Sequence, residues 1–292
     1  MEHYDRSGFF HVCTDGTVLP WMFKDQQDFI AGINRIGICK IISGVHVFVF
    51  TLMDNHVHFL LYGEITRCKV FINRYKTLTG KWISHKYGIR QHLKDLPASI
   101  IPLRSDEDIL ETAAYIDRNS VMAGFRGLPS EYPWSSAGLM FRNDTHDIRN
   151  HRHLRDFSEN QLRDLIKTRV PLPADWRIDE SGKIDPACFT EFRKMESMFV
   201  SPVRYLFFLN KKSEGKINLT LTSGQKSFIP DKDMRPIAEK LALKHFGTEN
   251  IKVLNVNARL TIARKLRYEY ASTVKQISRM VHLDPEVLKD FI

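Results

Sequence analysis

Apolar residues along the first 140 positions change their spacing several times, and each change marks an expected element. Phe9 to Cys13 (FFHVC) is a short apolar run followed by Thr14-Asp15-Gly16, which predicts a strand and a turn. From Asp25 to Ile36, Phe29, Ile30 and Ile33 fall on one helical stripe. Ser43-Gly44 breaks the pattern. Val45 to Thr51 is β-branched and aromatic and predicts a buried strand, Met53-Asp54-Asn55 supplies a turn, and His56 to Tyr62 predicts a second strand antiparallel to the first. From Cys68 to Tyr87 the spacing Phe71, Tyr75, Leu78, Trp82 is helical, with Arg67, Arg74, Lys76, Lys81 and Lys86 as a basic flank. Ala98 to Leu103 suits a short strand. Ser105 is a good N-cap for a helix from Asp106 to about Asn119, whose acidic first turn complements the helix dipole. Strand, helix, two strands, helix, strand, helix is the order of an α+β fold with a ferredoxin-like antiparallel sheet and packed helices.

After Phe141 the character changes, so residues 1–141 are expected to form one domain. Residues 142–156 are polar and charged, 160–210 hold helical pattern without readable chemistry, and 211–227 are again polar; 142–230 therefore reads as a linker and helical region. Residues 231–292 look helical almost throughout, giving a mainly helical C-terminal domain. Within it, Ala258 to Tyr270 is a basic amphipathic stretch, and Thr273 to Val281 is followed by a His282-Leu283 turn. Asp284 can cap and Pro285 can start a last helix carrying Lys289. That arrangement is the one a DNA-binding helix-turn-helix has, with a structural helical bundle or partner-binding module as the rival reading.

Composition narrows the picture only a little. Lys and Arg exceed Asp and Glu by 43 to 34 over 292 residues, and a basic surface suits either a polyanion partner or a merely soluble basic protein. No run of about 18 apolar residues predicts a membrane span, and the charged Met1 to Arg6 does not read as a secretory signal. Cys13, Cys39, Cys68 and Cys188 form no C-x-x-C pair and read as free thiols of a reducing cytoplasm.

Two spacings carry candidate chemistry. His56 and His58 are two apart on an expected strand, so both imidazoles point to one face. Either they hold a divalent metal, or they are surface or hydrogen-bonded histidines. The lone His11 and His46 read as structural. Tyr115 and Asn119 are four apart on an expected helix and share a face. The pair can present a phenol and an amide together, or be a packed tyrosine and a helix-terminal cap.

Taken in order, Phe10-His11-Val12, Met53-Asp54-Asn55-His56-Val57-His58, Tyr115-Ile116-x-x-Asn119, Ala123-Gly124 and Tyr132-Pro133-Trp134-Ser135-Ser136 resemble the REP-associated tyrosine transposases, relatives of the single-tyrosine HUH transposases. The resemblance covers roughly residues 8–140. It implies a ferredoxin-like fold, Tyr115 as nucleophile, His56, His58 and Asn119 as metal ligands, and magnesium or manganese as the metal. It also implies a 5′-phosphotyrosine intermediate on single-stranded or hairpin DNA. Asp54, Asp117, Ser120 and Met122 stand where that family usually has Pro, His, Pro and Arg. Arg67, Arg74, Lys76, Lys81 and Trp82 are candidates for a basic groove with an aromatic platform, and Lys289 for a duplex contact. Expected partners are DNA and, as an admissible assembly, a second copy in a homodimer; the expected place is the cytoplasm, with the nucleoid. A DNA-binding regulator derived from such an enzyme, with catalysis lost, is the alternative.

Overall fold

The computed structural model describes residues 7–16, 18–89, 93–142, 151–211, 231–270, 272 and 274–289, leaving out the side chains of 232, 233, 268–270, 275 and 289. The chain divides into two units, Met1–Ile217 and Asn218–Ile292.

The first unit is α+β and is built on a four-stranded antiparallel sheet. Its strands are β1 (Gly8–Thr14), β2 (His46–Leu52), β3 (Val57–Gly63) and β4 (Ala98–Leu103), in the order β2-β3-β1-β4. Helix α1 (Gln26–Ser43) joins β1 to β2, and α2 (Ile65–Tyr87) joins β3 to β4. Directly opposed residues of antiparallel strands point to the same face, so the register sorts the side chains. Val12 opposes Phe59, and Phe50 opposes Phe59 from the other side. With Val57 and Leu61 these make the apolar face, on which Phe71 and Tyr75 of α2 pack edge-to-face against Phe59 at 5.2 and 5.1 Å. Burying each such aromatic contributes about 1.5–3 kcal/mol. Pro102 lies on β4, an edge strand, where its missing N–H leaves no ladder bond unmade.

Helix α1 runs past Ile36 to Ser43. Gly32 to Cys39 is buried throughout, so the apolar positions there follow no single stripe, and the amphipathic spacing understates the helix. The Asp25 side chain accepts from the Asp28 N–H at its start, and Gly44, at φ +70°, stops it in the left-handed conformation that Gly adopts without strain. Helix α3 (Asp106–Met122) lies against the other face of the sheet, where the Thr51 hydroxyl donates to the Ile116 carbonyl at 2.7 Å. The Ser105 hydroxyl caps α3 by accepting from Asp108 N–H. The Tyr132-Pro133-Trp134-Ser135-Ser136 segment covers the free edge of β2: Leu52 N–H donates to Trp134 O and Ser136 N–H to Phe50 O.

Residues 151–211 belong to this same unit, although their polar start reads as a linker. A two-stranded ribbon, β5 (Arg152–His153) with β6 (Arg177–Ile178), frames α4 (Glu159–Ile166). Trp176, Ile178, Ile184 and Phe189 enter the sheet core, and Trp176 and Phe189 lie against Gly37 of α1 so closely that a Cβ there would fall within 2.8 Å of the indole. Helices α5 (Phe192–Phe199) and α6 (Pro202–Asn210) pack with α3. Residues 143–150 and 212–227, which also read as linkers, lie outside the described residues.

The second unit consists, among described residues, of α7 (Asp231–Phe246), α8 (Val256–Tyr270), α9 (Val274–Val281) and α10 (Pro285–Lys289). They enclose a core of Met234, Ala238, Ala242, Ile262, Ala263, Leu266, Ile277, Val281 and Leu288. Between α9 and α10 the backbone turns at His282, φ 55°, and Asp284 Oδ1 accepts from Glu286 N–H, the capping role its sequence suggests. Among the described residues, no helix is long and apolar enough to cross a membrane.

Candidate tyrosine and metal site

The face of the sheet opposite the α1–α2 layer gathers the chemistry. Cys13 opposes His58 across β1 and β3, Thr51 opposes His58 across β2 and β3, and His11 lies two residues before Cys13. All four side chains therefore project to one face. His11, Cys13 and His58 are buried, and their ligand atoms lie within 4.8 Å of one another. Helix α3 brings Tyr115 over them. Its ring centroid is 5.7 Å from His58 and 5.9 Å from His11, both edge-on, and Tyr115 is only 7% exposed.

His56 sits just before β3, partly exposed, its ring centroid 4.8 Å from that of His58. Its protonation pattern follows from its neighbours. Asn55 Nδ2 donates to the Gly16 carbonyl at 2.7 Å, which turns Asn55 Oδ1 toward His56 Nδ1, 2.7 Å away. An amide oxygen only accepts, so Nδ1 carries the proton and Nε2 keeps its lone pair. An imidazole held this way, one nitrogen donating to an oxygen and the other free to bind, is the usual arrangement of a metal-ligating histidine. The backbone of Gly16 comes so close that a Cβ there would stand 2.8 Å from His56 Nδ1.

His11 Nε2 and His58 Nδ1 are 3.1 Å apart, so one donates to the other and a single proton lies between them. Burial lowers His11 to about 3 and His56 to about 4, and burial with the neighbouring His56 and His11 holds His58 well below 6.5. All three rings are therefore neutral at pH 7, the state in which imidazole binds metal. Burial also pushes the Cys13 thiol up to about 12, opposed by a backbone hydrogen bond from Ser99. The donor set of this face is thus neutral nitrogen and sulfur, suited to a divalent transition metal.

Asn119 lies one helical turn beyond Tyr115 on α3, as the spacing suggests. Its side-chain amide donates to the Tyr115 carbonyl at 2.9 Å, folding back on its own helix. Asp117, two residues beyond Tyr115, is fully buried and accepts from the Tyr205 hydroxyl at 2.7 Å; burial raises its carboxyl to about 7.

The expected basic groove is not assembled beside the tyrosine. Arg67, Arg74, Lys76, Lys81 and Trp82 all lie on α2, which covers the face of the sheet opposite His58. Arg67, Arg74 and Lys81 are exposed there, and Arg67 pairs with Glu64 at 3.3 Å. Lys76 is buried, because its ammonium donates to the carbonyls of Lys94 and Leu96 and ties down the approach to β4. Trp82 is no open platform: its indole N–H donates to the buried Asp28 carboxylate at 2.8 Å, alongside Lys86 and the Tyr87 hydroxyl. The side chain of Lys289 lies outside the described residues.

Sequence spacing missed Cys13, Asn55 and the part played by His11. The His11-x-Cys13 alternation on a strand was the available signal; the pairing with His58 is a matter of register, which no local pattern prints.

No family model matches the chain, and no curated protein matches it. Among solved structures, one described as "Structure of the REP associates tyrosine transposase bound to a REP hairpin" is similar at 17% identity and a TM-score of 0.33, over 48% of this chain and 84% of that one. A likeness of that size says nothing of this chain's activity or partners.

Proposed function

We propose that this chain cleaves and rejoins single-stranded or hairpin DNA through Tyr115, with a divalent metal held by His56 and His58. The observation that carries the reading is the stance of the Tyr115 ring, edge-on to His58 above the His-x-His strand. The strand order and the two crossing helices fit the ferredoxin-like sheet that the ordered motifs imply.

In this reading the Tyr115 oxygen attacks a backbone phosphorus. The bond from phosphorus to the 3′-oxygen breaks, a phosphotyrosine forms, the phenol loses its proton and the departing 3′-oxygen gains one. The new bond is again a phosphodiester, so a 3′-hydroxyl on another end can reverse the step without a nucleotide cofactor. A tyrosine hydroxyl, with a reference pKa near ~10, is a weak nucleophile at neutral pH. The metal, when bound, would neutralise charge on the scissile phosphate. His56 offers Nε2. His58 offers Nε2 as well when its Nδ1 proton is donated to His11, which makes His11 a positioning residue. Asn119, whose Nδ2 donates to the Tyr115 carbonyl, steadies the helix end beside the phenol, and its Oδ1 is the atom that would bind the metal. The helical C-terminal unit is read as the DNA-reading module, through the α9–α10 turn.

One observation favours a second reading, a DNA-binding regulator that has lost catalysis: Tyr115 is 7% exposed and His58 3%, so a phosphate must open the site to reach them. A single experiment separates the two. The full chain is incubated with single-stranded DNA from the flanks of its own gene and Mn²⁺. A denaturation-resistant adduct mapped to Tyr115 by mass spectrometry is the expected result; binding without adduct supports the regulator.

A further inference from the structure

We infer that His11, Cys13 and His58 form a binding site for a thiophilic divalent metal of the zinc class, distinct in its ligand set from the His56–His58 pair. The inference rests on the proposed function only for what the metal is used for; the site stands on its own geometry.

Three potential ligands from two adjacent strands meet on one face, with Cys13 and His58 in direct register. Zinc bonds of about 2.0–2.3 Å to nitrogen and sulfur put tetrahedral ligand atoms about 3.3–3.8 Å from one another. The 3.1 Å between His11 Nε2 and His58 Nδ1 and the 4.8 Å limit over all three ligand atoms are within a small side-chain adjustment of that figure. The surroundings are those of a closed site. All three residues are buried, and the Ser99 backbone hydrogen bond to the Cys13 sulfur is the kind of outer contact that supports a metal thiolate. A thiolate ligand selects zinc and cobalt over magnesium, which prefers oxygen donors and keeps its water.

The metal takes the place of the proton lying between His11 and His58, which moves to the other nitrogen of whichever ring carried it. The Cys13 thiol loses its proton to solvent. A neutral imidazole offers one lone-pair nitrogen, so His58 serves one metal at a time. Zinc in this site therefore competes with a metal on the His56–His58 pair.

The test uses the metal-free full chain and Co²⁺. Expected are one Co²⁺ per chain, a thiolate-to-cobalt charge-transfer band in the near ultraviolet, displacement by Zn²⁺, and no displacement by excess Mg²⁺. Cys13→Ser removes the band and weakens Co²⁺ binding about 100-fold or more, since even losing an outer-shell partner costs 10–100-fold. His56→Ala keeps the band while losing DNA adduct. Where Cys13→Ser does not fold, the band should persist in Cys188→Ser, the half-buried thiol, and Co²⁺ binding should weaken in His11→Gln; a band lost in Cys188→Ser overturns the site. Co²⁺ bound without a thiolate band, or a band that persists in folded Cys13→Ser, overturns the site. A band present in both wild type and His56→Ala, with adduct also unaffected in His56→Ala, upholds the site and sinks the His56 part of the proposed function instead.

Discussion

The Tyr115 ring stands edge-on to the His58 imidazole, their centroids 5.7 Å apart and their planes at 86°. Removing the hydroxyl leaves this aromatic contact intact. Tyr115→Phe removes the nucleophilic oxygen and is therefore expected to abolish the covalent DNA adduct while leaving the Kd for DNA nearly unchanged. Gel-resolved adduct and fluorescence anisotropy report the two quantities. Two other tyrosines are poor substitutes. Tyr75 is fully buried against Phe59 on the far side of the sheet, and the Tyr132 hydroxyl donates to the Leu52 carbonyl at the β2 edge. An adduct that persists in Tyr115→Phe defeats the proposed chemistry.

The strands and helix around this contact were legible because each carries a local signal. Val45 to Thr51 and His56 to Tyr62 are near-continuous apolar runs, and Ser105 followed by three acids announces α3. What stayed hidden depends on long-range pairing. Trp176 and Phe189 reach the core only because Gly37 leaves room for them, and nothing near residue 176 encodes that. Lys76 and Trp82 fit a basic, aromatic helix flank in sequence. Their partners, the carbonyls of Lys94 and Leu96 and the Asp28 carboxylate, come from other segments and turn them inward. The same holds in the site: Tyr115 and the His-x-His pair were visible as spacings, and Cys13 was visible only as an unpaired thiol.

Asn55 fixes the His56 tautomer through a chain of two bonds ending at the Gly16 carbonyl. Asn55→Ala removes the acceptor and lets the imidazole proton move to either nitrogen. Metal affinity at the His56–His58 pair is expected to fall by about 10–100-fold, the usual effect of losing an outer-shell partner. Asn55→Asp keeps an acceptor and is expected to recover most of it. His56→Ala removes the ligand itself and is expected to be worse than either. Asn119→Ala is expected to be the mildest, because that amide is engaged with the Tyr115 carbonyl. Calorimetric Mn²⁺ titration of the four variants gives the order, and an Asn55→Ala protein that binds as tightly as wild type contradicts the orienting role of Asn55.

Acid is expected to unfold the first unit early. His11 and His56 are held near 3 and 4, below the 6.5 of the unfolded chain, so between those values the unfolded state binds more protons. Their contribution is intact above pH 6.5 and is lost as pH falls toward the folded values. At pH 5 the loss is at most about 2 kcal/mol per imidazole. Denaturant titrations at pH 7.5 and pH 5 should show the drop, and His11→Gln should reduce it. Saturating Zn²⁺ should steepen it, because a metal bound only by the folded state is lost as its ligands protonate.

Asp117 acts in the opposite direction. It is fully buried on α3, accepts one hydrogen bond from Tyr205, and its other oxygen has no hydrogen-bond partner. Burial raises its carboxyl from 3.8 to about 7, so the folded state holds the proton that the unfolded state releases. The stability this gives is complete below pH 3.8 and is lost as pH rises through 7, where a bare carboxylate must be carried in the core. Asp117→Asn keeps the acceptor for Tyr205 and cannot ionise. Relative to wild type it should gain stability between pH 5 and pH 8 by about 2.5 kcal/mol. The histidine effect is common to both proteins and cancels in the difference. Tyr205→Phe is the opposing control: it strips Asp117 of its donor and should enlarge the wild-type penalty at pH 8. Denaturant midpoints of the three proteins at the two pH values measure all of this. A difference between Asp117→Asn and wild type that stays constant from pH 5 to pH 8 means that Asp117 does not change its charge in that window, and the account of the buried carboxyl is then wrong.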